Sequence, residues 1–292
     1  MRLLVIVPFL NEEQYLGKLL ESIGNQTRPP DRLLLTDDGS ADDSPRIASD
    51  FVRDHLYSTL LRRPVRPLAR DRLAAASELS AFQWAVEQAE GEWDVVAKLD
   101  ADVRLTSRTF ATVERELEGD PRLGMTGPYL SARGAGGALE RQRCPANHVE
   151  GPTKFYRREC LEQISPLPTF LGWDTIDEIR ARMRGWRTAS IAMPDGDPEH
   201  LRPMGSHDGL LRAHRRWGTC AWGYGEHPLH VMLVGVQRLC DRPAILGSLN
   251  YVLGWAIAGV GRRPRAEPEL REYVHRDQLR RIRRRMGNLA RG

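Results

Sequence analysis

The chain begins with a continuous apolar run, "RLLVIVPFL" at 2–10, which stops at "NEE". A run of that length, closed by polar residues, reads as a buried strand. In the next segment, 12–26, Leu16, Leu19, Leu20 and Ile23 fall on one helical face. The alternation then continues. Residues 31–38 read as a strand, and 42–55 as a helix whose acidic first turn suits the helix dipole. A strand at 58–63, a helix at 74–89 and a strand at 93–100 follow. This βαβα order predicts a mostly parallel sheet with helices on both faces. In such sheets ligands sit at the carboxyl ends of the strands, and "NEE", "DDGS" and "DAD" all fall at predicted strand ends.

Beyond residue 105 the pattern loosens. A helix is expected at 108–118, a strand and turn at 122–132, and a strand then helix at 151–164. The glycine-rich stretch 133–148 reads as a flexible insertion, and 173–191 as a helix ending near Gly185 followed by a strand. From about 205 the character changes: Pro243 to Gly261 is uncharged, and 271–287 reads as a basic helix. No internal repeat is visible.

Composition adds limits. With 292 residues, 41% hydrophobic and 28% charged, the chain can build a sizeable core. The net charge of +4 is carried almost wholly by arginine, the only lysines being Lys18, Lys98 and Lys154. Arginine is the better fork for phosphate and carboxylate, although a GC-rich genome gives the same bias and is the simpler account. Cys144, Cys160, Cys220 and Cys240 show neither close pairing nor a C-x-x-C, so no disulfide framework or zinc site is expected, and a reducing cytosol fits best. The first residues superficially resemble a signal peptide. Their apolar stretch is short and no small-residue cleavage site follows, so they read as the first strand.

The chemistry concentrates at the strand ends. Asp100 and Asp102 lie two apart in an extended segment and aim at one spot. Unpaired they repel and one pKa must rise, unless a divalent cation or a set of donors meets them. The plain alternative is two solvated aspartates at the start of a loop. Lys98 shares their face; it reads as a snorkelling lysine, with charge compensation as the other reading. Asp37 and Asp38 stand in "DDGS", which suits a turn by itself.

Taken in order, "VIVPFLNEEQYLGKLLESIGNQT", "LLTDDGSADDS", "KLDAD", "FYRREC" and "WDTIDEIRARMRGWRT" resemble a family 2 glycosyltransferase with the GT-A fold, over roughly residues 1–200. The resemblance implies a catalytic domain at 1–204, with a nucleotide-binding half at 1–105 and an acceptor half at 106–204. A helical extension at 205–292 follows, associated with a membrane or a partner. It implies that Asp37 and Asp38 bind the nucleotide and that Pro8, Asn11 and Glu12 shape the pocket floor; Glu12 alternatively serves as a helix N-terminal charge. Asp100 and Asp102 would hold Mn²⁺ or Mg²⁺ and the ribose, with His200 completing the metal shell or remaining structural. Arg202 is a candidate for the diphosphate.

Counting back from Gly185, the family's general base falls on Asp174, with Asp177 one turn later as runner-up. Asp174 also suits a helix N-cap. Two departures stand out: Trp173 replaces a usual glutamate, and Phe82 stands where many members carry an arginine. Arg70 or Arg72 would then supply that charge. Arg157 and Arg158, in the stretch that resembles the donor-sugar lining, read alternatively as surface charges. Trp173, Trp186, Trp217 and Trp222 are core residues first, with one or two as acceptor contacts.

The implied reaction is inverting, metal-assisted transfer from a nucleotide-diphosphate sugar, UDP favoured, to a saccharide or lipid-linked hydroxyl. A nucleotidyltransferase is the first rival; the acidic, glycine-free "PFLNEE" after strand 1 argues against it. A catalytically silent binding protein on the same fold is the second. Residues 243–285 place an apolar segment beside a basic helix, the arrangement of a peripheral membrane contact at the inner face of the cell membrane. The competing readings are a bilayer-spanning helix or a buried helix at 243–261, and a solvated basic face for the tail. No nucleic-acid module accompanies the basic tail.

Overall fold

The computed structural model describes residues 1–64, 69, 71–134, 137–142, 144–202, 209–240 and 243–289. The chain forms two compact units, Met1–Pro166 with Arg184–Pro203, and Leu167–Met183 with Met204–Gly292.

The first unit runs β1 (Leu3–Phe9), α1 (Leu16–Gly24), β2 (Arg32–Asp37), α2 (Ser44–Asp54), β3 (Ser58–Arg62), α3 (Ser77–Glu87), β4 (Val95–Leu99) and β5 (Val103–Arg104). It continues through α4 (Thr109–Gly119), β6 (Leu123–Pro128), β7 (Ser131–Arg133), β8 (Leu139–Arg141), β9 (Thr153–Arg157) and α5 (Arg158–Ile164). After α6 (Trp173–Met183), which belongs to the second unit, the chain returns for β10 (Arg187–Ile191) and β11 (Glu199–His200).

Seven strands form the main sheet in the order β10-β6-β9-β4-β1-β2-β3. All pairings are parallel except those of β9, which runs antiparallel to both β4 and β6. The central strand β1 is buried at every residue, as a strand covered on both faces must be. Val5, Val7 and Phe9 pack with Leu16, Leu19 and Ile23 of α1 and with Phe110 and Val113 of α4. The stripe expected on α1 is therefore the buried one, although the helix starts at Leu16 rather than at residue 12. Likewise α2 starts at Ser44, leaving Asp42 and Asp43 ahead of its first turn. Asp42 instead accepts from the Glu13 and Ser44 amides at 3.1 and 3.0 Å.

A second sheet has the order β5-β11-β7-β8. It corrects the flexible-insertion reading of 133–148: β7 and β8 pair antiparallel, with Ser131 opposite Arg141, and Arg141 is held by a two-pronged contact to Asp197 at 2.6 and 2.8 Å.

The second unit is helical: α6, α7 (Leu210–Gly223), α8 (Pro228–Gln237), α9 (Leu246–Val260) and α10 (Pro268–Leu289). Ile176 and Ile179 of α6 pack on Leu270 and Val274 of α10. Helices α7 and α9 meet backbone to backbone through glycine. A Cβ on Gly218 would stand 1.9 Å from the Tyr251 carbonyl oxygen, and one on Gly254 would stand 2.1 Å from that of Arg215. Buried Glu226 ties the bundle, accepting from the Tyr251 hydroxyl at 2.5 Å and lying 2.5 Å from His230 Nδ1. Helix α9 spans 15 residues, about 22 Å, against roughly 30 Å of bilayer hydrocarbon. Among the described residues no helix is long and apolar enough to cross a membrane.

Candidate active site

Three strand ends build the site in the first unit. At the end of β1, Phe9 is in register with Asp37 of β2, and Asp37 with Arg62 of β3. The turn after β2 is closed by Asp37, whose Oδ1 accepts from the Gly39 and Ser40 amides at 3.2 and 2.8 Å; Gly39 takes φ +98°, a backbone that favours glycine. Asn11, also left-handed at φ +55°, ties the β1 end to this turn. Its amide donates to Ser40 Oγ at 3.0 Å and its side-chain oxygen accepts from the Ala41 amide at 2.8 Å. Asp38 is buried and receives Arg63 Nη1 at 2.8 Å, with Arg72 Nη2 at 3.9 Å. The turn-forming role is thus realised by Asp37 and Asn11, while Asp38 gathers two arginines. Arg72 stands beside this pair; Arg70 lies outside the described residues.

The β4 end separates its two aspartates. Asp100 turns to Lys98, which also pairs with Glu78 and donates to the Gly151 carbonyl at 3.3 Å. Lys98 is 1% exposed. It does not snorkel, because its ammonium has two carboxylates to meet inside the protein. Burial alone would lower the Lys98 pKa; Asp100 and Glu78 outweigh it and hold the ammonium above its ordinary range. Burial, with Glu78 alongside, pushes the Asp100 carboxyl well up, whereas the charge of Lys98 overcomes burial at Glu78 and holds that one down.

Asp102 meets a different set. Strand β11 pairs antiparallel with β5, setting His200 opposite Val103, and the Leu201 amide donates to the Asp102 carbonyl at 2.8 Å. This brings His200 Nε2 to 3.5 Å and Arg202 Nε to 3.3 Å from Asp102 Oδ2. Arg202 also bonds Glu12 and lies over the Tyr15 ring at 5.0 Å. Burial would raise the Asp102 carboxyl, but His200 and the charge of Arg202 prevail and lower it. At Glu12 burial prevails over Arg202 and the carboxyl rises.

The structure therefore brings Glu12, Asp102, His200 and Arg202 together, and separately joins Asn11 to the Asp37 turn. Pro8 is buried within β1. Asp174 and Asp177 lie on α6 in the second unit, Asp174 half-buried in the first turn and Asp177 fully buried. Phe82 is a core residue of α3, 6.1 Å from the Tyr156 ring. Arg157 donates to the Leu117 and Leu123 carbonyls, and Arg158 to Glu162. Two site residues escaped the sequence reading. Arg63 was legible only as the end of a strand, and Glu78 carries no local signal, because its partners lie 20 and 22 positions away.

Among the described residues no group of three or more His, Cys, Asp or Glu could hold a metal by itself. Asp102 and His200 offer one oxygen and one nitrogen donor on the same side. That suits Mg²⁺ or Mn²⁺, which bind through one or two carboxylates and complete their shell with substrate phosphates.

A family model described as glycosyl transferase family 2 matches residues 4–170. Among solved structures, the mannosyltransferase PcManGT from Pyrobaculum calidifontis, in complex with GDP-Man and Mn²⁺, is similar at 19% identity, with a TM-score of 0.55 over 96% of this chain and 80% of its own. Residues 1–349 of S. aureus TarS in complex with UDP-GlcNAc are similar at 18% identity, with a TM-score of 0.54 over 85% and 69%. Likeness at these identities concerns the fold. No curated protein matches the sequence. With the family match covering more than half its length, the chain belongs to glycosyl transferase family 2 and carries the GT-A fold that its strand order displays.

Proposed function

We propose that the protein transfers one sugar, with inversion, from a nucleotide-diphosphate sugar to a hydroxyl of a saccharide or lipid-linked acceptor. The observation that carries this reading is the cluster of Asp102, His200, Arg202 and Glu12 at the carboxyl ends of β1 and β4. It combines two metal-donor side chains with an arginine able to meet a diphosphate. Asp37 and Asp38 are assigned to the nucleoside, with Pro8, Asn11 and Glu12 shaping the pocket floor and Asp100 reaching the ribose. Asp102 and His200, with Asp100, would hold the cation, Mn²⁺ or Mg²⁺. When bound, that ion neutralises charge on the departing nucleoside diphosphate.

Asp174 is assigned as the base that takes the acceptor hydroxyl proton. Its partial exposure supports it over Asp177, which is fully enclosed. PcManGT was solved with a GDP-sugar and TarS with a UDP-sugar; UDP is the favoured donor base here. A cytoplasmic protein in peripheral contact with the inner face of the membrane, through 243–285, completes the reading.

A thermal-shift panel tests the donor site: UDP, GDP, dTDP and CDP, each with Mn²⁺, Mg²⁺ or EDTA, on wild type and Asp102→Ala. A nucleotide at about 100 times its dissociation constant stabilises by roughly 2.7 kcal/mol, a shift of several degrees. One nucleotide shifting only with metal, and only in wild type, is the expected result. No metal-dependent shift in wild type with any nucleotide overturns the assignment.

A further inference from the structure

Helix α9 is built inside out for a water-soluble bundle. Its buried positions are Gly247, Ser248, Tyr251, Gly254 and Ala258. Its large apolar residues Leu246, Leu249, Leu253, Ile257 and Val260 are 45–89% exposed. These five recur at 3, 4, 4 and 3 positions and form one stripe. The neighbouring helix follows it in part. Val231 and Gly235 of α8 are buried, and the Gly235 carbonyl accepts from Ser248 Oγ of α9 at 2.6 Å, while Leu229, Met232 and Val236 are 48–62% exposed. Monomers surrounded by water rarely leave so much contiguous apolar side chain uncovered. Small residues inside and large apolar residues outside is how helices pack when hydrocarbon meets the outer face.

Charge identifies the occupant. Between Gly209 and Pro264, every described charged residue that is exposed is an arginine: Arg212, Arg215, Arg262 and Arg263. The one described carboxylate of that span, Glu226, is buried and bonded. Arg262 and Arg263 directly follow the stripe at Val260, and Arg238 lies between Val236 and Leu239. A second copy of this chain would set arginine against arginine around the apolar contact. An anionic lipid surface supplies both hydrocarbon for the stripe and phosphate for the arginines.

We propose that the α8–α9 face is a docking surface for an anionic bilayer, with α9 lying in the plane of the interface. This narrows the membrane contact proposed above from 243–285 to one face and assigns the apolar grip to α8 and α9 rather than to the basic helix α10. It stands apart from the donor chemistry.

The test is flotation of the full chain with vesicles of phosphatidylcholine alone or mixed with phosphatidylglycerol. Wild type is expected to float with the mixed vesicles, weakly with the neutral ones, and less as salt rises. The Leu249→Glu/Leu253→Glu variant should bind about tenfold less or worse, with an unchanged circular dichroism spectrum because both side chains already meet solvent. If that variant misfolds, Arg262→Gln/Arg263→Gln serves in its place, with loss confined to the mixed vesicles.

Flotation of wild type that the stripe variant does not reduce overturns the α8–α9 face while leaving a membrane contact elsewhere. Absence of wild-type flotation overturns both. A wild-type dimer in light scattering that the stripe variant dissolves assigns the face to a second copy and overturns the proposal. The nucleotide panel, run on the same preparations, reports the donor reading independently.

Discussion

Lys98→Met should cost stability in a way that depends on pH. The ammonium it removes is buried and pairs with both Asp100 and Glu78. Methionine follows the lysine stem closely, so the packing loss is small and the cost is electrostatic. Deleting one partner of a buried ion pair costs about 3–5 kcal/mol, because it strands the other charge; here the stranded Asp100 and Glu78 are 21% and 37% exposed, so solvent screening places the cost at the low end. Protonation gives an upper bound. Neutralising a carboxyl of ordinary pKa near 4 costs about 1.4 kcal/mol per pH unit, hence at most roughly 4 kcal/mol at pH 7 and roughly 1.4 kcal/mol at pH 5.

The sign follows. The Asp100 carboxyl already stands above its ordinary range through burial and Glu78, and without Lys98 both carboxyls move up. A carboxyl raised by folding contributes stability at low pH and loses it as pH rises. Thermal unfolding of variant and wild type at pH 5 and pH 7 checks this. At about 2–4 °C per kcal/mol for a chain of this size, the deficit should be roughly 10 °C at pH 7 and a third of that at pH 5. A deficit equal at the two pH values, or below about 1 kcal/mol at pH 7, would refute the account of Lys98 as the charge that holds Asp100 and Glu78 together.

Two further outcomes are expected. Asp174→Asn should lower kcat by about 10²–10⁴ with nucleotide binding intact, whereas Asp177→Asn, at a fully buried position, should instead lower the unfolding temperature, by the equivalent of about 1–3 kcal/mol; turnover and melting curves on both variants separate the roles. Gly254→Ala adds a Cβ 2.1 Å from the Arg215 carbonyl oxygen; overpacking of about 1–3 kcal/mol should outweigh the roughly 1 kcal/mol of helix propensity gained, so calorimetry should show a lower melting temperature, and a higher one would mean that α7 and α9 do not meet as described.

Where a signal is local, the sequence carries it. The alternating strands and helices of the first hundred residues depend on apolar periodicity, and β1, α1, β2, α2, β3, α3 and β4 all appear where it places them, with shifts at the ends. The polar clusters at strand ends were legible for the same reason, since a parallel sheet gathers its carboxyl edges. What periodicity cannot show is partner choice. Lys98 and Asp100 are two residues apart in sequence, yet the reason Lys98 stays inside is Glu78, from a different element. The β7–β8 hairpin escaped because its strands are three residues each, carry arginine and glutamate, and are separated by a glycine-rich stretch of sequence. Residues 243–261 gave an apolar segment but not its orientation. Gly247 and Gly254 face inward because α7 approaches too closely for larger side chains, and that approach is a tertiary fact.

The two aspartates of the D-A-D segment are thus resolved separately. Geometry predicts one shared face and one shared repulsion, and the protein answers with two different cations. Asp100 is balanced by Lys98 from its own strand, a charge locked in the interior and unable to leave. Asp102 is balanced by Arg202 and His200, carried in by β11 at the rim of the sheet, where both keep some contact with solvent. The two positions therefore differ in what they can exchange. A charge paired with a buried lysine is fixed by the desolvation cost of parting them. A charge shared between an arginine and an imidazole that are 19% and 16% exposed parts from them at lower cost, because Arg202 keeps its bond to Glu12 and both keep some contact with water. Of the two aspartates proposed to hold the cation, Asp102 would therefore change partners at the lower cost and Asp100, tied to Lys98, at the higher.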